Sequence, residues 1–259
     1  MAFNPPIRQW SGRRVWIIGA STGIGAALAR QLGAAGARVA LSARSRERLD
    51  ALAADLPQAL VLPLDVRQAG QQSEAYARIR QAWGGADLVI FNAGTYSPMR
   101  ADAFDLASMD EHFAINYHGV VGGLAAVLPD FLARASERPA LAIVSSVAGF
   151  RGLPAALAYG PSKAALINLA ETLYLDLSPR GIGVFLITPG FVDTPLTKQN
   201  EFKMPALISA DQAATAIITG FAHGDFDTHF PKRFTRWLKL LRLLPYALYF
   251  RAVRKMTGL

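Results

Sequence analysis

The sequence predicts an α/β fold, a doubly wound parallel sheet of about seven strands with helices on both faces. Three observations carry this. Short apolar runs alternate with helical segments between residues 14 and 230. The runs are apolar at successive positions, as strands covered on both faces are, rather than alternating apolar and polar. The first run turns into its helix through a cluster of glycines, "GASTGIG" at 19–25.

Taken in order, "RVWIIG" (14–19) reads as a buried strand ending at glycine, followed by an Ala-rich helix over 24–36. "ARVALSA" (37–43) is the second strand, and "SRERLDALAADL" (45–56) an amphipathic helix. "ALVLPLD" (59–65) is the third strand, with a helix around 68–83 before the fourth strand, "ADLVIFNAG" (86–94). A long helix near 108–133 precedes "ALAIVSS" (140–146), and another near 157–178 precedes "GVFLITPG" (183–190). Strands separated by helices in this rhythm form parallel neighbours through right-handed crossovers. Residues 191–208 mix Pro, Thr, Lys and apolar side chains as a long loop or lid, and a helix near 209–222 with a short strand near 226–230 closes the sheet. The reading is one domain over 1–231 and a C-terminal extension over 232–259.

At 259 residues, 52% hydrophobic and 18% charged, the chain buries a sizeable core and is not a disordered type. Without cysteine it has no disulfides and no thiolate metal site. His112, His118, His223 and His229 show no zinc-type spacing, so no metal is expected. No signal-peptide pattern opens the chain, and a cytoplasmic location is expected. The net charge of +8 is local. Eight basic residues and no acidic ones follow Pro231, and the preceding residues are balanced. A neutral body argues against nucleic acid as a partner.

The extension places Trp237, Leu241, Leu244 and Leu248 on one helical stripe, with basic residues elsewhere. Its longest uncharged run is eight residues, far below the roughly 20 that span a bilayer. Pro245 splits it into two short helices. Two readings stand side by side: a segment lying in a membrane interface as a peripheral contact, or one packing over the substrate site or a neighbouring subunit.

A strand-to-helix turn with Gly19, Gly23 and Gly25 lets a pyrophosphate approach the backbone and offers it the N–H groups of a helix N-terminus. The spacing is GxxxGxG. Together with "NAG" (92–94), "SSVAG" (145–149), "YGPSK" (159–163) and "PG" (189–190), in this order, it resembles the short-chain dehydrogenase/reductase family over about residues 12–230. Ile18 replaces the family's Thr before the first glycine, and Phe91 replaces the first Asn of its NNAG motif. The resemblance implies a dinucleotide held by Gly19, Ser21, Thr22, Gly23, Ile24 and Gly25. Asp65 and Val66 belong at the adenine, and Asn92, Ala93 and Gly94 beside its ribose. Pro189, Gly190, Val192 and Thr194 belong at the carboxamide. No Asp or Glu lies between Val39 and Arg46, where NAD-binding chains carry an acid for the ribose hydroxyls. Arg44 and Ser45 stand there instead, where the family's similar members hold a 2′-phosphate, so NADP(H) is favoured over NAD(H).

Reducing a ketone needs a proton donor at the carbonyl oxygen. A free tyrosine, with a pKa of about 10, suits neutral pH poorly, and a nearby ammonium lowers it. Tyr159 and Lys163 are four residues apart and share a helix face if the helix has begun at Tyr159, with Pro161 in its first turn. Ser146, thirteen residues upstream at a strand end, is placed to hold the substrate oxygen. Alone, the pair reads as surface packing and the serine as a cap or turn residue. The family pattern assigns Tyr159 as acid/base, Lys163 as its electrostatic partner and a ribose ligand, and Ser146 as anchor. It assigns Asn116 as organiser of a proton relay, where the plain alternative is a helix-interior Asn bonded to a carbonyl. Phe150, Leu153, Phe191, Leu196, Phe202 and Met204, with Ser146, are candidate substrate-pocket residues. Mostly apolar, they suggest a lipophilic carbonyl substrate of fatty-acyl, sphingoid-like or steroid-like kind. The resulting expectation is an NADP(H)-dependent oxidoreductase, a homodimer or homotetramer through the helices near 108–133 and 157–178. The rivals are a non-catalytic dinucleotide-sensing protein and a membrane-surface binding protein on the same fold.

Overall fold

In the computed structural model, residues 2–199 and 204–258 are described. Seven parallel strands lie in the order β3-β2-β1-β4-β5-β6-β7. They are β1 Arg14–Ile18, β2 Arg38–Ser42, β3 Leu60–Val61, β4 Leu88–Phe91, β5 Ala140–Val144, β6 Gly183–Pro189 and β7 Asp227–Phe230. The central strands are buried on both faces, which is why their sequences are apolar without alternation. Val15, Ile17, Leu88, Ile90 and Phe185 face a layer built by α1 (Gly23–Ala34), α2 (Arg46–Ala53) and α7 (Ala210–His223). Trp16, Ile18, Val89, Phe91 and Leu141 face α3 (Gln71–Trp83), α5 (Gly119–Ala133) and α6 (Tyr159–Leu177).

The chain moves outward from β1 to β3 and then returns to β4 on the other side of β1. This reversal opens a crevice beyond the carboxyl ends of β1 and β4, the place where open α/β sheets bind ligands.

Three elements differ from the sequence reading. The third strand pairs only over Leu60–Val61 rather than 59–65; Leu62 and Leu64 still donate singly to Leu41 and Ala43, and Pro63 between them occupies a position whose missing N–H would face the open edge. The helix near 108–133 is broken into α4 (Leu106–Phe113), a π-helical turn at Ala114–His118, and α5. The extension forms α8 (Lys232–Arg242) and α9 (Tyr246–Thr257), divided before Pro245 as its ring requires. Their inner sides are part of the fold: Phe234 and Leu238 pack on the core, and Thr235, Tyr249 and Val253 are buried. Leu241 and Leu244 are half-buried, so the expected stripe is divided between packing and exposure. Of that set, Trp237 and Leu248 are exposed.

Candidate active site

Gly19, at φ +95°, ends β1 where a Cβ would come 2.5 Å from the Ala93 nitrogen. Gly23, at φ +54°, would bring a Cβ 2.8 Å from Thr194. Asn92 Nδ2 donates to the Gly19 carbonyl at 2.8 Å, tying the end of β4 to the turn. Gly25 shapes the turn from behind rather than at the crevice surface. A Cβ there would run into the Gly19 carbonyl, so this glycine seats α1 against the turn. Ser45 and Ser209 cap α2 and α7 with their side chains, whereas Thr22 at the start of α1 makes no such bond. The leading N–H groups of α1 are thus left to favour an anion at the turn.

The crevice holds about 470 Å³ and runs the length of the switch point. Arg44, Ser45, Arg48, Asp65 and Val66 lie at one end. Gly19, Ser21, Thr22, Gly23 and Ile24 form the turn, with Asn92, Ala93 and Gly94 opposite. Pro189, Gly190, Val192, Thr194 and Leu196 line the far wall, beside Ser146, Tyr159 and Lys163. Arg44 and Arg48 are exposed and make no ion pair among the described residues. Arg48 escaped the sequence reading; its spacing of four from Arg44 was the available signal. Asp65 is clasped by Arg67 at 2.6 Å, which with its backbone and charge holds the carboxyl below the usual range.

At the other end, α6 begins at Tyr159, with Gly160 and Pro161 inside its first turn. This early start settles whether the two side chains share a face: Lys163 Nζ lies 5.7 Å from the centre of the Tyr159 ring. Ser146 is beside the Tyr159 hydroxyl, where it favours the ionised form, and its Oγ accepts from the Ala148 N–H at 3.1 Å. Its neighbour Ser145 instead donates to the Lys163 carbonyl at 2.7 Å and pins α6 to β5. Lys163 is buried and donates to the Val144 carbonyl at 3.0 Å; burial brings its ammonium down to about 8.

The expected lowering of the tyrosine is reversed. Burial pushes Tyr159 up to about 12, Ser146 opposing and Tyr96 adding to it. The ammonium is directed at the Val144 carbonyl, and desolvation of the phenolate dominates.

Asn116 sits in the π-helical turn and is fully buried. Its Oδ1 accepts from the Thr95 N–H at 2.8 Å; its Nδ2 donates to the Thr95 carbonyl at 3.1 Å and to Ser162 Oγ at 3.0 Å. Ser162 in turn donates to the Tyr159 carbonyl at 2.8 Å. A Cβ on Gly94 would meet Asn116 Oδ1 at 3.4 Å and Lys163 Nζ at 3.5 Å, so the two polar groups border one small space. Such π-turns concentrate at functional sites.

Tyr96 and His112 were not legible as site residues. The Tyr96 ring meets Tyr159 edge-on at 5.0 Å, and burial raises its hydroxyl. His112 is buried, with Nδ1 2.6 Å from the Ser108 carbonyl and Nε2 accepting from the Ser97 N–H at 3.0 Å. That pair of contacts fixes the neutral ring with its proton on Nδ1. Neither spacing nor residue type separates these two from ordinary loop and helix residues.

Of the pocket candidates, Ser146 and Leu196 line the crevice. Phe150 is buried in the core, and Phe191 packs on Phe234 of α8 at 5.6 Å. Leu153 and Met204 are half-buried and, like Phe150 and Phe191, outside the crevice lining. Phe202 lies outside the described residues.

The profile of the short chain dehydrogenase family matches residues 13–204. An uncharacterized oxidoreductase of Myxococcus xanthus (strain DK1622) is 34% identical over 252 residues, covering 96% of this chain and 99% of that protein. A short chain dehydrogenase/reductase from Burkholderia phymatum, solved in complex with NAD, superposes with a TM-score of 0.82 at 23% identity, over 90% of this chain and 94% of that one. A short-chain dehydrogenase from Sphingobium yanoikuyae, solved in complex with NADPH, gives a TM-score of 0.77 at 26% identity, over 90% and 97%. With its glycine turn at a switch point and the family profile spanning most of the domain, the chain belongs to the short chain dehydrogenase family.

Proposed function

We propose that this oxidoreductase is NADP(H)-dependent and interconverts a carbonyl compound and the corresponding secondary alcohol, with Tyr159 as acid/base. The observation that carries the reading is the convergence of Tyr159, Ser146 and Lys163 at one end of a crevice whose other end presents Arg44 and Arg48. The residues fit a dinucleotide: Gly19 and Gly23 line the crevice without side chains, the start of α1 is left to an anion, and the two guanidiniums suit a 2′-phosphate.

The bound dinucleotide supplies or accepts hydride. Tyr159, held protonated at neutral pH by burial, donates to the carbonyl oxygen in reduction. Ser146 Oγ holds that oxygen. The Lys163 ammonium offsets the charge left on the tyrosine as its proton departs. Asn116, facing the same space as Lys163, organises proton resupply.

The substrate is a lipophilic carbonyl compound. Leu196 lines the crevice, and Arg151, a cation that follows Ser146 by five residues, is committed elsewhere than to a carboxylate, to carbonyls of the C-terminal segment. Exposed Val121, Leu132 and Leu175 on α5 and α6 support a homodimer or homotetramer. A cytoplasmic location with peripheral membrane contact through 232–259 completes the reading. Among the described residues no helix is long and apolar enough to cross a membrane.

The test is a spectrophotometric screen of NADPH and NADH with short- and long-chain ketones, with Tyr159→Phe as control. Turnover that prefers NADPH and collapses in the variant is expected. Cofactor binding without turnover on any ketone would instead mark a dinucleotide sensor.

A further inference from the structure

We infer that α8 and α9 form a preorganised docking face for an anionic lipid bilayer. This makes specific the membrane contact proposed above and stands on the C-terminal helices independently of the catalytic reading.

The two helices are fixed to the domain from within. Phe234 packs on Phe191, Lys239 pairs with Asp227, and Thr235 Oγ1 lies 2.6 Å from His229 Nδ1. At the break between helices, Arg151 donates to the carbonyls of Arg242, at 3.2 Å, and Leu244, and its guanidinium lies 4.1 Å from the centre of the Tyr249 ring. The Tyr249 hydroxyl donates to the Gly152 carbonyl at 2.6 Å. The helices are thereby anchored to the segments that follow β5 and β6, which also bear Ser146 and Gly190.

Their outer side is amphipathic in a different way from the inner. Arg233, Arg236, Trp237, Leu240 and Leu243 recur at spacings of three and four and are all exposed, Trp237 by 68% and Leu243 by 79%. On α9, Tyr246 and Phe250 stack on each other while each remains at least half exposed. Large apolar side chains so exposed on one segment mark an interaction surface.

Charge selects the occupant. Of the eight basic residues after Pro231, only Lys239 is ion-paired among the described residues, and there are no acidic residues in the segment. A second copy meeting this face across a two-fold axis would set like charges against like. A nucleic acid would accept the cations but would leave Leu240, Leu243 and Met256 in water. An anionic bilayer surface takes both sets: headgroup phosphates for the arginines, and the headgroup–acyl boundary for Trp and Leu.

The experiment is co-sedimentation of the full chain with phosphatidylcholine vesicles and with vesicles carrying about a third phosphatidylglycerol. Binding about tenfold or more stronger to the anionic vesicles, and weakened by salt, is expected. Trp237→Ser with Leu240→Ser, and separately Arg233→Ala with Arg236→Ala, each lower it about tenfold or more, with melting temperature unchanged because all four side chains are exposed. No sedimentation, or equal sedimentation with both vesicles, overturns the proposal. So does a fall in oligomer size in the serine variant, which assigns the face to a second copy. Binding of a DNA duplex that survives the serine variant overturns it in favour of nucleic acid. Turnover of a short, water-soluble ketone by these variants separates failure of the docking face from failure of the catalytic reading.

Discussion

Lys163 donates to the Val144 carbonyl at 3.0 Å while its ammonium stays 5.7 Å from the centre of the Tyr159 ring. The lysine is therefore secured by the end of β5 rather than by the tyrosine, whose hydroxyl is influenced by Ser146 instead. Replacing Tyr159 by Phe removes the proposed proton donor. Ketone reduction is expected to fall about 10²- to 10⁴-fold with little change in cofactor affinity or melting temperature. Steady-state kinetics with fluorescence titration of NADPH checks this; retention of activity would remove Tyr159 from the reaction.

Burial lowers Lys163 to about 8 from its ordinary 10.5, which fixes the sign of a pH effect. Between those values the unfolded chain binds the proton that the folded chain has released. This group's contribution to stability is therefore full above the unfolded value and lost as pH falls through about 8. Denaturant midpoints from pH 7 to 9.5 should carry a rising component in the wild type that Lys163→Met abolishes. Over the same interval the ammonium is lost, so kcat/KM for ketone reduction should decline above about pH 8. A flat profile would show that the charge on Lys163 is not needed.

Arg44 and Arg48 flank the end of the crevice without acidic partners among the described residues. Arg44→Ala is expected to weaken NADPH about tenfold or more and NADH far less, and the double variant with Arg48→Ala further still, because in the proposed reading each guanidinium pairs with the 2′-phosphate that NADH lacks. Dissociation constants for both dinucleotides, measured by titration, decide it. Equal losses would mean that neither arginine reads the phosphate.

Gly25 has no room for a methyl group: its Cβ would meet the Gly19 carbonyl, a backbone atom that moves only with the whole turn. Gly25→Ala should cost about 1–3 kcal/mol in a denaturant titration and also weaken both dinucleotides, since the turn shifts. A variant as stable as the wild type with normal affinity would show the turn to be more pliant than its packing indicates.

Asn116 is fully buried and its side chain makes three hydrogen bonds, two to the backbone of Thr95 and one to Ser162. Asn116→Ala leaves those partners unsatisfied, and a loss of about 2–4 kcal/mol is expected by denaturant titration, together with reduced kcat. Stability unchanged with kcat lowered would confine the residue to the reaction.

The strands and their order of appearance were legible because strands buried on both faces need unbroken apolar runs, and α6 was visible from 157 onward. The glycine turn was legible for a similar reason, since residues at positive φ such as Gly19 and Gly23 admit few alternatives. The break in the helix near 108–133 was not. A π-turn at Ala114–His118 leaves no mark on apolar periodicity, and Asn116 stood out only through the family pattern. Tyr96 and His112 were hidden for a related reason: their meeting with Tyr159 depends on how the segment after β4 folds back over α4. For two of the apolar candidates the packing was equally hidden. Phe150 and Phe191 follow site residues in sequence, yet they pack inward and against α8.

By itself, then, the amino-acid sequence determined the parallel α/β sheet, the glycine turn and the tyrosine–lysine spacing, because each rests on local periodicity or on a residue type that backbone geometry demands. Tertiary structure decided the rest. It set the direction of the Tyr159 and Lys163 pKa shifts, which depend on desolvation by residues distant in sequence. It also decided which side of the C-terminal helices faces water. A helical stripe can be read from one chain segment, but its orientation is chosen by what Phe234, Arg151 and Tyr249 reach across the fold to meet.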